Sequence, residues 1–195
     1  MARYDKPIPY GWYAVETSEN LKPGDVKPLH YFGRDLVLFR TESGEAAVLN
    51  AYCPHLGAHL GHGGTLEGES ISCPFHAWKF NGEGHCTEIP YAQRIPPKID
   101  GKQAIDAYPV VEKNQMIFAW YHPQGIAPLF EVEEFAELNS DAWTPIESNG
   151  WEINTIIQEA GENAADIAHF VTVHGSIGMP NGVVTLEGHR RLTMM

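Results

Sequence analysis

Two short segments, each with one cysteine and one histidine, constrain this chain more than any other feature. The first segment carries Cys53 and His55, and the second, which begins after 17 intervening residues, carries Cys73 and His76. In both segments a proline follows the cysteine and restricts the local backbone. A fold that uses these four side chains together must bring two separate loops face to face.

The residue types in the two loops indicate a metal centre. A [2Fe–2S] cluster with mixed ligands takes two thiolates on one iron and two imidazoles on the other, and the imidazoles raise its reduction potential. Two alternatives stay open at this point. A structural zinc ion also accepts two cysteines and two histidines, although zinc sites usually pair Cys with Cys and His with His at short spacing. The other alternative is that they are free thiols and core histidines, as we expect for Cys86, which matches no ligand position.

The first 125 residues contain many short apolar segments separated by turn signals. Residues 36–40 and 46–50 flank a Glu-Ser-Gly-Glu turn, and residues 107–112 and 116–121 flank Lys-Asn-Gln. A further Asn-Gly pair at residues 81–82 is a strong hairpin signal. Short strands at this spacing predict a small antiparallel barrel or sandwich.

The pattern changes where proline and glycine residues at 123, 125 and 128 predict a linker. We therefore expect an all-β domain over residues 1–124 and a second domain over residues 125–195. In the second domain a Ser-Asn-Gly turn at 148–150 predicts a hairpin, and apolar residues at three- and four-residue steps predict a helix over 156–173. About 70 residues are few for an independent domain, so the predicted fold class is α+β with an incomplete second part.

A second group of polar residues lies on the predicted helix. Asn163, Asp166 and His169 follow one another at three-residue steps and share one helix face, and His174 comes five positions later. The two imidazoles converge only if the helix distorts or ends near Val173. Two imidazoles and a carboxylate in a facial arrangement bind non-haem Fe(II) for oxygen chemistry. The alternative is an ordinary polar helix face.

The Cys-x-His-x17-Cys-x-x-His pattern, followed by Ala77-Trp78, resembles the Rieske iron–sulfur motif. The resemblance implies three small stacked antiparallel sheets with a [2Fe–2S] cluster at the tip of two loops. It also implies that Cys53 and Cys73 bind the buried iron, and that His55 and His76 bind the exposed iron.

The Asn-x2-Asp-x2-His-x4-His pattern resembles the mononuclear iron motif of the Rieske non-haem oxygenases. The resemblance implies that His169 and His174 bind the iron, at the start of a helix-plus-sheet, helix-grip-like catalytic domain. It makes Asp166 the bridge that carries an electron from the Rieske histidine of a neighbouring subunit, and it places Asn163 around the iron site. In this family a third ligand, a carboxylate, comes from a later helix. Glu187 is the only carboxylate after His174, and nothing assigns it to the iron.

Over residues 51–55, 81–86 and 89–97 the chain resembles the 3-ketosteroid 9α-hydroxylase oxygenases and the cholesterol desaturases. The resemblance implies the terminal oxygenase component of a multicomponent oxidoreductase. Such a component takes electrons from a reductase or ferredoxin, passes them through the cluster to a mononuclear Fe(II), and activates O2 to hydroxylate a small hydrophobic ring substrate. It also implies a homotrimer. The alternative is a Rieske electron-transfer protein without oxygenase activity, which the unassigned third ligand favours.

Composition excludes several other classes of function. The chain has 25 Asp and Glu but 13 Lys and Arg, a net charge of −12, so it lacks the basic face that nucleic acid requires. No apolar run reaches the roughly 18–20 residues of a membrane helix, and the N-terminus has no secretory apolar region. Three cysteines cannot form a disulfide framework, so we expect a cytoplasmic location.

Overall fold

The computed structural model describes residues 7–144, 147–179, 182–188 and 190–194. It contains two compact units, which we call unit 1 (residues 1–148) and unit 2 (residues 149–195). The predicted boundary at residues 124 and 125 stays a prediction. No helix within the described ranges is long and apolar enough to cross a membrane.

The regular secondary structure of unit 1 is almost entirely short antiparallel strands. These are β1 (Gly11–Thr17), β2 (Val26–Tyr31), β3 (Arg34–Arg40), β4 (Ala46–Asn50), β5 (Thr65–Glu67), β6 (Ser70–Ser72), β7 (Lys79–Asn81), β8 (Cys86–Glu88), β9 (Ala107–Tyr108), β10 (Val110–Lys113) and β11 (Met116–Tyr121), with 3-10 turns at Ser18–Asn20 and Ala136–Asn139. They form three sheets, in the orders β1-β11-β10, β2-β3-β4-β9 and β5-β6-β7-β8. The predicted all-β first part and its three sheets are confirmed.

The sheet β2-β3-β4-β9 lies between two hydrophobic cores. Alternate residues of a strand point to opposite faces, and in β3 both faces are buried. Val37 and Phe39 join the core that also contains Cys53 and Cys73, whereas Leu36 joins the other core. The continuous apolar run of β3 therefore reflects burial on both faces, and the first core supports the loops that carry the two cysteines.

The hairpin between β10 and β11 forms where the sequence predicted it. Asn114 and Gln115 have φ values of 55° and 59°, the left-handed conformation that both central residues of a two-residue type I′ turn require. The strand pairing runs from Lys113 opposite Met116 to Val110 opposite Ala119. A local turn preference thus sets this register directly.

Residues 123–139, which we call the strap, belong to unit 1 and pack against the sheet β1-β11-β10, although they begin with the predicted linker signals. The indole N–H of Trp12 donates to the carbonyl of Phe130 at 2.7 Å, and that of Trp120 donates to the carbonyl of Ile126 at 2.8 Å. Asn114 donates to the carbonyl of Glu133 at 2.7 Å. Side chains of the sheet thereby satisfy backbone groups of a segment that has almost no regular structure of its own.

Unit 2 contains α1 (Ile157–Ala165), α2 (His169–Thr172) and the antiparallel hairpin of β12 (Val183–Glu187) with β13 (Arg190–Met194). Helix is therefore present in the predicted segment, but it is interrupted at Asp166. The carboxylate of Asp166 accepts a hydrogen bond from the N–H of Ala168 at 3.1 Å, a local turn that competes with the helix.

The prediction of a hairpin around residues 148–150 was wrong, because the described residues on both sides of this turn form no strand. Residues 147–155 contain no strand, nor do 143 and 144, and residues 145 and 146 lie outside the description. A two-stranded hairpin is marginal in water without a third strand or a packed face. The turn signal alone was insufficient here.

Candidate functional site

The structure brings the four predicted cluster ligands together at adjacent loops. The first loop joins β4 to β5 and the second joins β6 to β7. Cys53 and Cys73 are buried, with 3% and 4% of their surface exposed. His55 and His76 are half-buried, and their ring centroids lie 4.8 Å apart. Thiols on the inside and imidazoles nearer the surface agree with what the resemblance implies, and the ligand roles stay a prediction.

The two loops share one backbone conformation. The N–H of Cys53 donates to the carbonyl of Ala58 at 2.9 Å, and the N–H of Gly57 donates to the carbonyl of Cys53 at 2.9 Å. The second loop repeats both hydrogen bonds at the same spacing, with Cys73 in the place of Cys53. Gly57 and its counterpart Ala77 both have positive φ, 74° and 55°. Each loop is therefore a closed turn that holds its cysteine at the same depth.

Burial governs the chemistry of the cysteines. It raises the pKa of the Cys53 thiol to about 11, and the neighbouring thiol of Cys73 adds to this, while the backbone N–H groups of His55 and Leu56 act in the opposite direction. Without a metal the thiol is therefore protonated at neutral pH. Iron bound at Cys53 would require the thiolate, and the backbone N–H groups of His55 and Leu56 would stabilise that negative charge.

One imidazole nitrogen in this site is buried and has no hydrogen-bond partner among the described residues. It is Nδ1 of His55. A buried polar atom without a partner costs free energy, and coordination to a metal removes that cost. The donor set and this nitrogen therefore fit a metal centre.

The types of donor on the two loops suit a two-iron cluster. A structural zinc ion takes four donors around one point. A mixed-ligand [2Fe–2S] cluster requires only two protein donors on each iron. Two thiols and two imidazoles on facing loops meet that requirement.

The second group of polar residues also comes together, because the helix breaks. The ring centroids of His169 and His174 lie 5.1 Å apart. Nδ1 of His169 donates to the backbone carbonyl of Asp166, and the carboxylate of Asp166 lies 3.9 Å from the same nitrogen. Nε2 of His169 is buried and has no partner in the described part of the chain. A histidine held through Nδ1 presents Nε2 to a metal, so this geometry fits an iron ligand.

Asp166 supports His169 from the side opposite the free nitrogen. Its carboxylate faces Nδ1 and not Nε2, so it does not complete a facial triad with the two histidines. Asn163 lies one helical turn earlier with its side chain exposed, and Glu187 is exposed in β12. Within the described residues no carboxylate joins His169 and His174 as a third ligand.

Two contacts near the first loop had no sequence signal. The hydroxyl of Tyr52, the residue before Cys53, donates to the carboxylate of Asp35 at 2.5 Å, and Nδ1 of His30 lies 2.7 Å from the other carboxylate oxygen. These hydrogen bonds lower the pKa of Asp35 and raise that of Tyr52. The second contact joins Trp78 to His55. Both link residues that are distant in sequence, so no local pattern announces them.

Comparison with known proteins identifies the family. A family model described as the Rieske [2Fe-2S] domain matches residues 11–109, more than half of the 195 residues. The chain belongs to the Rieske [2Fe-2S] domain family. A second model, the 3-ketosteroid 9alpha-hydroxylase C-terminal domain, matches residues 119–191. The predicted family, fold class and [2Fe–2S] cofactor are confirmed.

Relatives with a described function are similar to this Rieske chain along most of its length. Cholesterol 7-desaturase nvd from Xenopus laevis is 43% identical over 176 residues, which are 90% of this chain and 38% of that protein. The oxygenase component of 3-ketosteroid-9-alpha-monooxygenase from Rhodococcus rhodochrous is 36% identical over 168 residues, 85% of this chain and 41% of that protein. The chain thus spans less than half the length of these curated relatives.

Solved structures share the fold. Dicamba monooxygenase bound to dicamba superposes with a TM-score of 0.74 at 22% identity, covering 94% of this chain and 55% of that chain. A structure of dicamba monooxygenase with non-heme iron is 26% identical, with a TM-score of 0.56 over 68% of this chain and 39% of that chain. The iron in that enzyme agrees with the second cofactor predicted for the Rieske chain.

Proposed function

We propose that this chain is part of the terminal oxygenase component of a cytoplasmic Rieske oxygenase that hydroxylates a hydrophobic ring substrate. One observation carries the proposal: each of the two groups of candidate ligands contains a buried imidazole nitrogen without a partner in the described residues, Nδ1 of His55 and Nε2 of His169. The similarity to a cholesterol desaturase and a ketosteroid monooxygenase supports a steroid as the substrate class.

In this proposal Cys53 and Cys73 bind the buried iron of the cluster, and His55 and His76 bind the exposed iron. When bound, the cluster supplies one-electron transfer and the mononuclear iron supplies the activation of O2. A reductase or ferredoxin is the electron donor, and it approaches the half-buried imidazoles because they are the donors nearest the surface.

His169 and His174 are the proposed ligands of the mononuclear iron. Asp166 orients His169, because its backbone carbonyl accepts a hydrogen bond from Nδ1. Its carboxylate accepts the N–H of Ala168 through one oxygen and is exposed, so it can also receive a donor from a neighbouring subunit of a homotrimer. Asn163 lies one turn before Asp166. Its backbone carbonyl accepts a hydrogen bond from the backbone N–H of Asp166 at 3.3 Å. Asn163 therefore stabilises the point at which the helix breaks.

The test measures iron and acid-labile sulfide per chain in protein purified without oxygen. We expect about three irons and two sulfides, because both groups of ligands are present. Cys53→Ser removes the cluster iron and the sulfide. The matched control is Cys86→Ser, since Cys86 is also buried but lies outside both loops. A Cys53→Ser protein that retains sulfide and the cluster absorption would contradict the ligand assignment.

A second candidate is a Rieske electron-transfer protein without oxygenase activity. It is favoured by the absence, in the described residues, of a third side chain beside His169 and His174. In that case about two irons accompany two sulfides, and His169→Ala leaves the iron content unchanged. If the oxygenase proposal is correct, His169→Ala lowers iron by about one per chain and leaves sulfide unaffected.

A further inference from the structure

Trp78 joins the two loops that hold the proposed cluster ligands. It belongs to the second loop, directly after Ala77, yet its indole lies flat on the imidazole of His55 in the first loop. The two ring centroids are 4.5 Å apart and the rings are within 6° of parallel. Nδ1 of His55 has no hydrogen-bond partner among the described residues, so the orientation of this ring rests on its ring contacts: the stack on Trp78 and an edge contact with His76 at 4.8 Å.

The indole is itself held in place. Its N–H donates to the hydroxyl of Tyr91 at 2.7 Å, and the Trp78 carbonyl accepts the N–H of Cys73 at 2.8 Å. Trp78 is buried whereas Tyr91 is 63% exposed, so the phenol closes the outer edge of the stack. Ala77 adopts a φ of 55°, which is unfavourable for a residue with a Cβ. The backbone is therefore strained at the residue that directs Trp78 onto His55.

We propose that Trp78, held by Tyr91, is a positioning residue that fixes the plane of the His55 imidazole and lowers the reduction potential of the cluster. The inference rests on the proposed assignment of His55 as a cluster ligand. Trp78 contacts the proposed ligand His55, so it would act through that imidazole.

The direction of the effect follows from two contributions of the same sign. Reduction adds one negative charge to the cluster, and the π face of an indole carries negative electrostatic potential, so it opposes that charge. The indole also covers one face of His55 from water, and water stabilises the more highly charged reduced form. Removal of the indole therefore raises the midpoint potential.

The test compares variants of the full chain with the cluster bound. The midpoint potential is measured by titration with dithionite followed in the visible spectrum, and the reduced cluster is examined by electron paramagnetic resonance. We expect Trp78→Leu to raise the potential and Trp78→Phe, which keeps a ring, to raise it less. Tyr91→Phe removes only the hydrogen bond to the indole, so we expect a smaller rise with broader g-value features.

The matched control is Tyr13→Phe. Tyr13 also donates a hydroxyl hydrogen bond, to the carbonyl of Pro9 at 2.7 Å, but it lies in β1 outside the loops. We expect the midpoint potential and the electron paramagnetic resonance spectrum of the Tyr13→Phe protein to equal those of the wild type. Should Trp78→Leu not take up a cluster, Trp78→Phe and Tyr91→Phe decide the question, because both keep an aromatic ring in place.

Two results would overturn the inference, and they are distinguishable. If the wild type shows the Rieske spectrum and the Trp78 and Tyr91 variants share its potential and g values, the positioning role of Trp78 is wrong and the ligand assignment stands. If the wild type binds iron and sulfide without a Rieske spectrum, the assignment of His55 is wrong and the inference falls with it.

Discussion

At the scale of single residues, Arg40 shows how unit 1 is held together away from the cluster. Arg40 is 8% exposed. Its guanidinium donates to the carbonyls of Leu21 and Gly44, each at 2.7 Å. It also donates to both carboxylate oxygens of Glu112, at 2.8 and 2.9 Å. One buried cation thereby connects β3, β10 and two turns, and it depends on Glu112 for its counter-charge.

Glu112→Gln tests this contact. Hydrogen bonds from Arg40 hold the pKa of Glu112 below its usual 4.5. A lowered pKa in the folded state stabilises the protein above the unfolded pKa, and this stabilisation is lost as pH falls through the folded pKa. At pH 7 we expect the variant to lose about 2 kcal/mol of unfolding free energy. This is less than the loss for a fully buried ion pair, because water partly screens the exposed side of Glu112.

The measurement is urea unfolding at a series of pH values. Between about pH 5 and 3 the wild type should lose stability more steeply than Glu112→Gln, because only the wild type has this carboxylate to protonate. Glu137→Gln serves as the control, since Glu137 is exposed. Parallel curves for the wild type and Glu112→Gln would show that the pair contributes nothing to the pH dependence.

At the scale of elements, the turn between β10 and β11 has two roles. Asn114 adopts the positive φ of the turn, and its buried side chain also fastens the strap. Its amide donates to the carbonyl of Glu133 at 2.7 Å and its carbonyl accepts the N–H of Phe135 at 2.8 Å. The same residue therefore determines the turn and the position of a segment about twenty residues later.

Replacement of Asn114 separates these roles. Asn114→Gly keeps the turn conformation but loses both side-chain hydrogen bonds, at a cost of about 1–2 kcal/mol. Asn114→Ala adds the strain of positive φ, about 1 kcal/mol more. Both variants should expose the strap, so a protease specific for glutamate should cleave after Glu131 and Glu133 faster than in the wild type. Asn20→Gly, at an exposed position, is the control, and we expect it to be cleaved at the rate of the wild type. If the Asn114 variants are also cleaved at the rate of the wild type, Asn114 does not hold the strap.

At the scale of the whole molecule, the two units differ in how much apolar surface they bury. Unit 1 has two cores of fully buried side chains. In unit 2 no residue of either helix is buried, and Trp151, Ile153 and Ile177 are 81%, 72% and 106% exposed. Buried apolar area is the main source of stability, so the stability of this chain resides in unit 1.

Hydrogen exchange of the full chain, read by mass spectrometry, tests this difference. Amides of β3, β4 and β11 should exchange slowest, because their opening requires the loss of a core. Amides of α1 and β12 should exchange at rates close to those of an unstructured peptide, since little buried surface opposes their opening. Protection of α1 equal to that of β3 would contradict this assignment of stability.

The sequence by itself determined the parts of this protein that depend on local chemistry. Four ligand side chains at fixed spacing predicted the cluster, and the family comparison confirmed it. Turn residues such as Asn114 predicted the hairpins of unit 1, because a turn conformation depends on the residues within it. The same reasoning failed at residues 148–150, since a turn signal does not supply the third strand or packed face that a hairpin requires.

Only the tertiary structure decided the contacts between distant residues. The stack of Trp78 on His55, the hydrogen bond of Tyr52 to Asp35 and the strap on Asn114 join positions about 17 to 23 residues apart. The break at Asp166, which brings His169 and His174 together, is a local turn, but the helical pattern of the sequence did not show that this turn would replace the helix there. The contacts between distant residues have no periodic signature, because they follow from how strands and loops pack and not from the order of neighbouring residues.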